Sequence, residues 1–266
     1  FGYQNPMAAY VLSNVAAFAP KSPTAKADWQ ASLNRQLEFY QWLQSSEGGI
    51  AGGATNSWQG AYQAPPAGTP TFHGMSYVEA PVYGDPPSNR WFGMQTWSLE
   101  RLAEYYYLTD DAKAKSVLDK WVTWALDNTV IGASSFAIPS DLAWTGKPNT
   151  WNPSSPATNT ALHVTVTSKG QDLGVAGSYA KLLTYYAAKS GNARAKTAAK
   201  GLLDAIWAAK DPKGVSVTET RADYNRMDDR YDAVTGQGIY IPPGWTGTMP
   251  NGDEIKPGVS FLDIRS

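Results

Sequence analysis

Apolar residues at three- and four-residue steps recur along this chain in runs of helical length, and the runs are interrupted by stretches in which no helix can form. The first strong helix is predicted from about Thr24 to Ser46, with Trp29, Leu33, Leu37, Tyr40 and Leu43 on one stripe. A shorter one, capped by Asn5-Pro6 and carrying Val15 and Phe18, precedes it and stops at Pro20. Ser88 or Asn89 can cap a helix reaching Leu108, with Trp91, Gln95, Leu99, Leu102 and Tyr106 down one side. Thr109-Asp110-Asp111 then caps another to about Asn128, bearing Val117, Trp121, Trp124 and Leu126. So short a join predicts an antiparallel hairpin. A second hairpin is predicted from Asp172 to Ser190 and from Ala193 to Lys210, turning at Ser190-Gly191-Asn192. Leu173, Ala176, Ala180, Leu183 and Ala187 form the inner stripe of one arm, and Ala199, Leu202, Leu203 and Ile206 that of the other.

Between these pairs lie two long loops and a turn-rich end. The first loop begins with Gly48-Gly49-Ile50-Ala51-Gly52-Gly53, presents Trp58 and Tyr62, and continues through Pro65, Pro66, Pro70, Pro81, Pro86 and Pro87. It shows neither helical nor strand periodicity, and its prolines bar regular structure as far as Pro87. The second, Thr129 to Gly170, sets Trp144 and Trp151 among prolines and alternates like one short strand at Leu162–Thr167. From Asp211 onward only short strand-like pieces, a helical turn near Arg221 to Asp229 and the turn-rich Pro242–Asp253 run containing Trp245 are predicted. Structureless loops longer than ~15 residues are uncommon in compact domains unless they are functional. Helix pairs around an axis, with the loops gathered at one rim, would give an α/α toroid; helix hairpins alone also fit a solenoid, although no sequence-level repeat favours one.

The loops are rich in one chemistry. The chain holds 11 Trp and 15 Tyr against 7 Phe, and only 17% of its residues are charged. Trp and Tyr join an apolar face to a polar handle, which suits neutral polar ligands. A glycine-dense loop that ends in Trp58 and Tyr62 suits a flat polar object lying against backbone and ring, and a pyranose is such an object. Trp58, Tyr62, Trp144, Trp151 and Trp245 are therefore the candidate stacking residues, the competing reading for the tryptophans being a ring that pins its loop to the helices. The helical Trp29, Trp42, Trp91, Trp97, Trp121, Trp124 and Trp207 are assigned to packing, with Trp91 and Trp97 as the exceptions to watch. A net charge of −1 leaves no electrostatic footprint for nucleic acid or an anionic membrane, and no apolar run has transmembrane length. Without cysteine there are no disulfides and no thiolate metal sites. His73 and His163 stand apart without a ligand pattern, and Asn251-Gly252-Asp253 is a turn signal well short of a calcium loop. Glu79, Asp85, Asp141, Asp223 and Asp228 lie in or beside loops, and on the residues alone an acid–base pair can be sought among them. Asp141 in Pro-Ser-Asp reads as a turn residue, and Asp223 can pair with Arg226.

Several longer motifs carry a resemblance. Phe1-Gly2-Tyr3-Gln4-Asn5-Pro6, Gln36 to Gln44, Gly48 to Trp58, Phe136-Ala137-Ile138-Pro139-Ser140-Asp141-Leu142, Asp172 to Ser178 and Gly244 to Asp253 resemble glycoside hydrolase family 48, the bacterial processive exocellulases. The resemblance implies an all-α fold, a section of an (α/α)6 barrel with long aromatic-rich loops and a few short strands, in which a tunnel leads to an open cleft. It implies inverting hydrolysis of β-1,4-glucan that releases cellobiose from reducing ends, secretion from the cell, and cellulose or cello-oligosaccharides as the bound partner. No cofactor is required, a structural calcium ion is admitted with ligands unknown, and carbohydrate-binding or dockerin modules are expected outside this span.

Family catalytic domains are more than twice this length, so residues 1–266 are expected to be one partial domain, middle to C-terminal, cut at both ends. The family's acid is a Glu in a Glu-Thr-Thr-Ser-Glu-type motif near the domain's start. Its base is an Asp in a Gly-Tyr-Asp-Ser-type motif shortly before the position of Phe1. Neither motif occurs here, so no catalytic residue is carried over, and the section alone is expected to be inactive. The other readings are a non-catalytic glycan-binding protein on the same fold and a chitin-active relative.

Overall fold

The structure, a computed structural model, describes residues 1–58, 60–61, 63–81, 89–156, 159–212, 214–217 and 227–264. The chain divides into two compact units, Phe1–Val217 and Thr218–Ser266. Six α-helices stand in the first unit among the described residues: α1 (Pro6–Asn14), α2 (Ala25–Leu43), α3 (Phe92–Thr109), α4 (Ala112–Asp127), α5 (Leu173–Ser190) and α6 (Ala193–Ala208). None of the described helices is long and apolar enough to cross a membrane.

Side-chain caps explain most of the helix starts. Asn5 accepts from the Ala8 N–H ahead of Pro6, Asp111 from Lys113 and Ala114, Asp172 from Val175, and Asn192 from Ala195. Helix α3 differs. Trp91 stands at its N-cap without a side-chain cap bond. Asn89, predicted as a cap, instead accepts a hydrogen bond from the Gly52 N–H at 2.7 Å. Helix α2 ends at Leu43 rather than Ser46, because Gln44 is extended and pairs with Ile50.

Consecutive helices pack as pairs, α1 on α2, α3 on α4 and α5 on α6, and α1, α3 and α5 also meet one another in sequence, as do α2, α4 and α6. Contacts at the open end of the α3–α4 pair show its antiparallel course: the Phe92 ring lies 5.8 Å from Trp121 and 6.0 Å from Trp124. The predicted stripes of α2 to α6 are buried or half-buried except at Leu203, whereas the first helix ends at Asn14, short of the predicted Val15 and Phe18, and Phe18 is 61% exposed. Leu203 is 51% exposed, since it sits a full 100° around α6 from the buried Leu202.

The loops contain more strand than their composition suggests. The proline-rich first loop holds β1 (Gly53–Thr55), β2 (Thr71–Phe72) and β3 (Met75–Val78), which form an antiparallel sheet in the order β1-β3-β2. Pro81 is spared because it lies beyond β3, and the other described prolines fall between strands. The second loop holds β4 (Val130–Ile131), β5 (Phe136–Pro139), β6 (Leu142–Thr145), β7 (His163–Val166) and β8 (Lys169–Gly170), where one strand was predicted. They pair as β4-β5-β8 and as β6-β7, the latter matching Leu142 with Val166 and Thr145 with His163. A hairpin of β9 (Lys210–Asp211) and β10 (Gly214–Val215) follows α6.

The second unit carries the β11 (Gly247–Thr248) and β12 (Glu254–Ile255) hairpin around the Pro250–Gly252 turn, and Arg230 reaches both the Gly258 carbonyl and Asp263. The predicted helical turn near Arg221 falls largely outside the described residues, as does the Asp223–Arg226 pair.

The glycine run packs tightly against its surroundings. A Cβ on Gly48 would stand 2.6 Å from the Lys120 carbonyl oxygen at φ +134°, whereas one on Gly68, at φ +76°, would meet nothing. Gly48→Ala should therefore lower stability by about 2 kcal/mol or more, against about 1 kcal/mol for Gly68→Ala. Denaturant melts of the two variants test the difference, and equal costs would show that α4 gives way.

Candidate functional site

The glycine turn is the frame from which the site is built. Ser45, Ile50 and Ala51 are wholly buried. Gln95, on the apolar stripe of α3, reaches into the turn. Its Oε1 accepts from the Ile50 N–H at 3.0 Å and from Trp121 Nε1 at 3.1 Å, and its Nε2 donates to the Ile50 carbonyl at 2.7 Å. Gln44 Nε2 donates to Gly48 and Val117 carbonyls, and Asn159 Nδ2 to those of Trp42 and Gln44. Apart from the Val117 carbonyl, which lies inside α4, these are backbone groups that regular structure leaves unpaired. The reading of the glycines as a bed for sugar is corrected here. Gly48, Gly49, Gly52 and Gly53 are buried, and their missing Cβ atoms make room for α4, β7, β3 and Pro81. Sequence reasoning gives none of these three amides a role, although Gln95 on an otherwise apolar helix stripe is a visible signal.

Next to Gly48, Glu47 clasps the turn to β7. Its carboxylate accepts from Ser46 Oγ at 2.6 Å and from the Val164 N–H at 2.9 Å, and lies 2.7 Å from His163 Nδ1. Burial pushes the Glu47 carboxyl up, but the bonds from Ser46, His163 and the Val164 N–H outweigh it and bring the pKa to about 2. Ser46 and Glu47 share the one nitrogen of His163, so this is a clasp and not a relay that could activate the hydroxyl.

The predicted aromatic residues separate into distinct situations. Trp58 follows β1, pairs through its backbone with Gln63, and is half-buried. Trp151 is bound to the other edge of the same sheet, its N–H donating to the Thr71 carbonyl at 2.8 Å. Its ring lies 5.6 Å from Phe72, which stacks at 5.1 Å on Trp42. Trp58 and Trp151 thus flank one small sheet. Trp144, by contrast, is only 9% exposed; its Nε1 donates to the Asn89 carbonyl and its ring covers Gly49. It pins the second loop to the glycine turn, a packing role where a free stacking face was expected. Trp245 belongs to the second unit and is 49% exposed. Tyr62 lies outside the described residues.

A further aromatic surface stands at the start of α3. Trp97 is 44% exposed and meets Trp91 edge-on at 4.7 Å. Trp91 pairs through its backbone with Asp141, whose carboxylate accepts from Ser168 Oγ. Asp141 therefore joins α3 to the second loop and does more than turn a corner. Arg90 donates to Glu79 at 3.1 Å, so that carboxylate is braced by a cation. Asp228 is exposed in a turn, while Asp85 and Asp223 fall outside the described residues. Among the described residues no three His, Cys, Asp or Glu side chains gather as a metal group. The arrangement offers indole faces, backbone polar groups and braced carboxylates, which can hold a neutral polyhydroxylated ligand.

The family model for glycosyl hydrolase family 48 matches residues 1–266. Exoglucanase B of Cellulomonas fimi is 65% identical over 267 residues, covering 100% of this chain and 24% of that protein. Endoglucanase F of Ruminiclostridium cellulolyticum is 57% identical over 269 residues, covering 100% of this chain and 36% of the relative. The cellulose 1,4-beta-cellobiosidase (reducing end) CelS of Acetivibrio thermocellus is 50% identical over 276 residues, with the same 100% and 36% coverage. The chain thus spans between a quarter and somewhat over a third of the length of these relatives.

Two measurements separate packing from presentation. Trp144→Ala should cost about 3–5 kcal/mol and Trp58→Ala under about 1 kcal/mol in denaturant unfolding. A costly Trp58→Ala would make that ring a core residue. Because the Glu47 pKa is depressed on folding, its stabilisation is complete above the ordinary value of 4.5 and fades as pH falls towards about 2. The melting-temperature gap between wild type and Glu47→Gln should shrink over that window; a constant gap would show that the charge contributes nothing.

Proposed function

The chain belongs to glycosyl hydrolase family 48, and on that premise we propose that it is the section of a secreted cellulase which walls and frames the sugar track. The enzyme would cut β-1,4-glucosidic bonds with inversion and release cellobiose from reducing ends. The whole-chain match to the family carries this reading, and the name of the Acetivibrio relative supports the reducing-end assignment. Inverting hydrolysis needs an acid and a base ~6.5–9.5 Å apart with a water between them. The acidic loop residues described here are braced by Arg90 or Ser168 or stand alone in a turn, so proton transfer is assigned to residues outside this span.

The (α/α)6 barrel is proposed on the alternation of helix contacts. Odd-numbered helices touch odd, even touch even, and neighbours in sequence pair across, which is the pattern of an arc cut from two concentric rings. The solvent side of α4 is lined with Lys113, Lys115, Thr123 and Asp127, as an outer wall should be. Helices α1 and α3 instead bound an open groove with Met7, Val11, Leu12, Glu100, Arg101 and Glu104, as an inner wall should. The loops that run from α2 to α3 and from α4 to α5 would then bring Trp58 and Trp151 to one rim, beside Trp97 in the second turn of α3.

Each indole would meet the axial C–H face of a glucose ring by dispersion, leaving equatorial hydroxyls to backbone and amide groups. Several platforms of similar strength allow a chain to advance, since no single well is deep. An insoluble polymer cannot enter a cell, which supports the reading of a secreted enzyme. In the full-length enzyme, Trp58→Ala should reduce cellobiose release from crystalline cellulose several-fold more than turnover of cellopentaose. Equal losses on the two substrates would remove Trp58 from a chain-threading role.

A further inference from the structure

Away from the proposed track, the solvent side of α6 carries an apolar pair that the fold does not use. Leu203 and Trp207 lie four residues apart, on the same face, 51% and 67% exposed. No described tryptophan is more exposed than Trp207. Lys196, Lys200 and Asp204 surround the pair on the helix, with Lys200 bonded to Asp204. Beyond the helix end, the β9–β10 hairpin fixes Lys210, and its ammonium stands over the Trp207 ring at 4.4 Å from the centroid. Val215, paired with Lys210 across that hairpin, is 44% exposed and extends the apolar surface.

We propose that Trp207 is an outer glucan-binding platform, taking one or two pyranose rings of a neutral β-glucan on the indole face opposite Lys210. The cation over one face orients the ring and leaves the other open, which is what a stacked sugar needs. The charged rim supplies donors and acceptors for ring hydroxyls. A second copy of the chain is a poor occupant: a stable protein interface buries ~800 Å² per partner, and Leu203, Trp207 and Val215 inside a charged rim offer far less. An indole matches a pyranose in size. The identity of the ligand rests on the cellulase reading above; the existence of the platform rests on α6 and its hairpin. Helix α6 packs chiefly on α5, so this surface is distinct from the sheet flanked by Trp58 and Trp151. A platform there would hold the enzyme on a cellulose surface while the track works on one chain.

Tryptophan oxidation reads this locally. Trypsin cleavage after Lys200 and Lys210 releases residues 201–210, in which Trp207 is the sole tryptophan. In full-length enzyme briefly exposed to N-bromosuccinimide, crystalline cellulose should slow oxidation of that peptide at least ~3-fold, as expected for a ring covered by a stacked sugar. Adsorption to crystalline cellulose should fall in Trp207→Ala and be largely kept in Trp207→Phe. Unchanged oxidation, or equal adsorption by wild type and Trp207→Ala, overturns the platform. So does a change of oligomeric state in Trp207→Ala on gel filtration, which would make the patch a self-interface. Cellopentaose turnover by the wild-type enzyme is scored in parallel: its absence sinks the cellulase reading, whereas its presence with an unprotected peptide sinks the platform alone.

Discussion

One buried side-chain amide holds the helical frame and the loop rim in register. Gln95 is wholly inaccessible, and it answers both backbone groups of Ile50 while also accepting from Trp121. The glycine turn does not satisfy those groups itself: in the bridge of Gln44 with Ile50 the bonds run from Ser45 to Gly49 and from Ala51 to Leu43, leaving both groups of Ile50 unpaired. Leaving a buried backbone donor or acceptor unpaired costs about 1–3 kcal/mol each. The turn can therefore run through the interior only where α3 and α4 are already packed against each other. Asn89, Gln44 and Asn159 repeat the device at its borders, each linking a loop to a helix end or to another loop. The positions of Trp58, Trp144 and Trp151 all follow from a chain path fixed in this way.

That dependence explains what could and could not be read from the residues. Helices α1 to α6 were legible because spacing and caps are local signals: Asp111, Asp172 and Asn192 cap where their position relative to the apolar stripes requires. The strands of the two long loops were not, apart from β7, and those beyond α6 were legible only as short pieces without positions. Strands of two to four residues have too few positions for alternation to register, and their partners are set by turns and contacts elsewhere in the chain. The sheet order β1-β3-β2 is a product of the glycine turn and Pro70, not of strand propensity. The glycines misled for a related reason. A missing Cβ admits a ligand or another stretch of backbone equally well, and composition cannot say which. At Gly48 and Gly52 the neighbour is the carbonyl of Lys120 or Val78. Trp144 misled in the same way, since a loop tryptophan between prolines looks the same whether it faces out or pins the loop down.

The indole N–H offers a physical criterion that separates the two kinds of tryptophan. Trp42 donates to the Asn149 carbonyl at 2.7 Å, Trp121 to Gln95 and Trp144 to the Asn89 carbonyl. Each of these is buried, and each spends its polar atom inside the protein, as a buried indole must. Trp97, Trp207 and Trp245 keep between 44% and 67% of their surface in solvent. Trp151 stands between the groups: half-buried in the Phe72 cluster, with Nε1 inaccessible and without a partner. A donor left in that condition costs stability that neighbouring contacts must offset. It marks Trp151 as the ring whose surroundings have most to gain from a further acceptor.

The buried amides also bear on how a polymer could be held without being trapped. A loop ordered only on binding spends part of its interaction energy on its own ordering, and the bound state is then slow to release. Here the ordering is completed during folding, by Gln95, Asn159 and the Glu47 clasp, before any ligand arrives. On the proposed reading of a sugar track, the indole faces would then be individually shallow and still add up, because little conformational entropy would remain to be lost. Shallow, preorganised contacts let a chain step from ring to ring. On this view the glycines serve the ligand without touching it: they let the loop lie close enough to α4 and β7 to be rigid, and that rigidity keeps the aromatic faces in place.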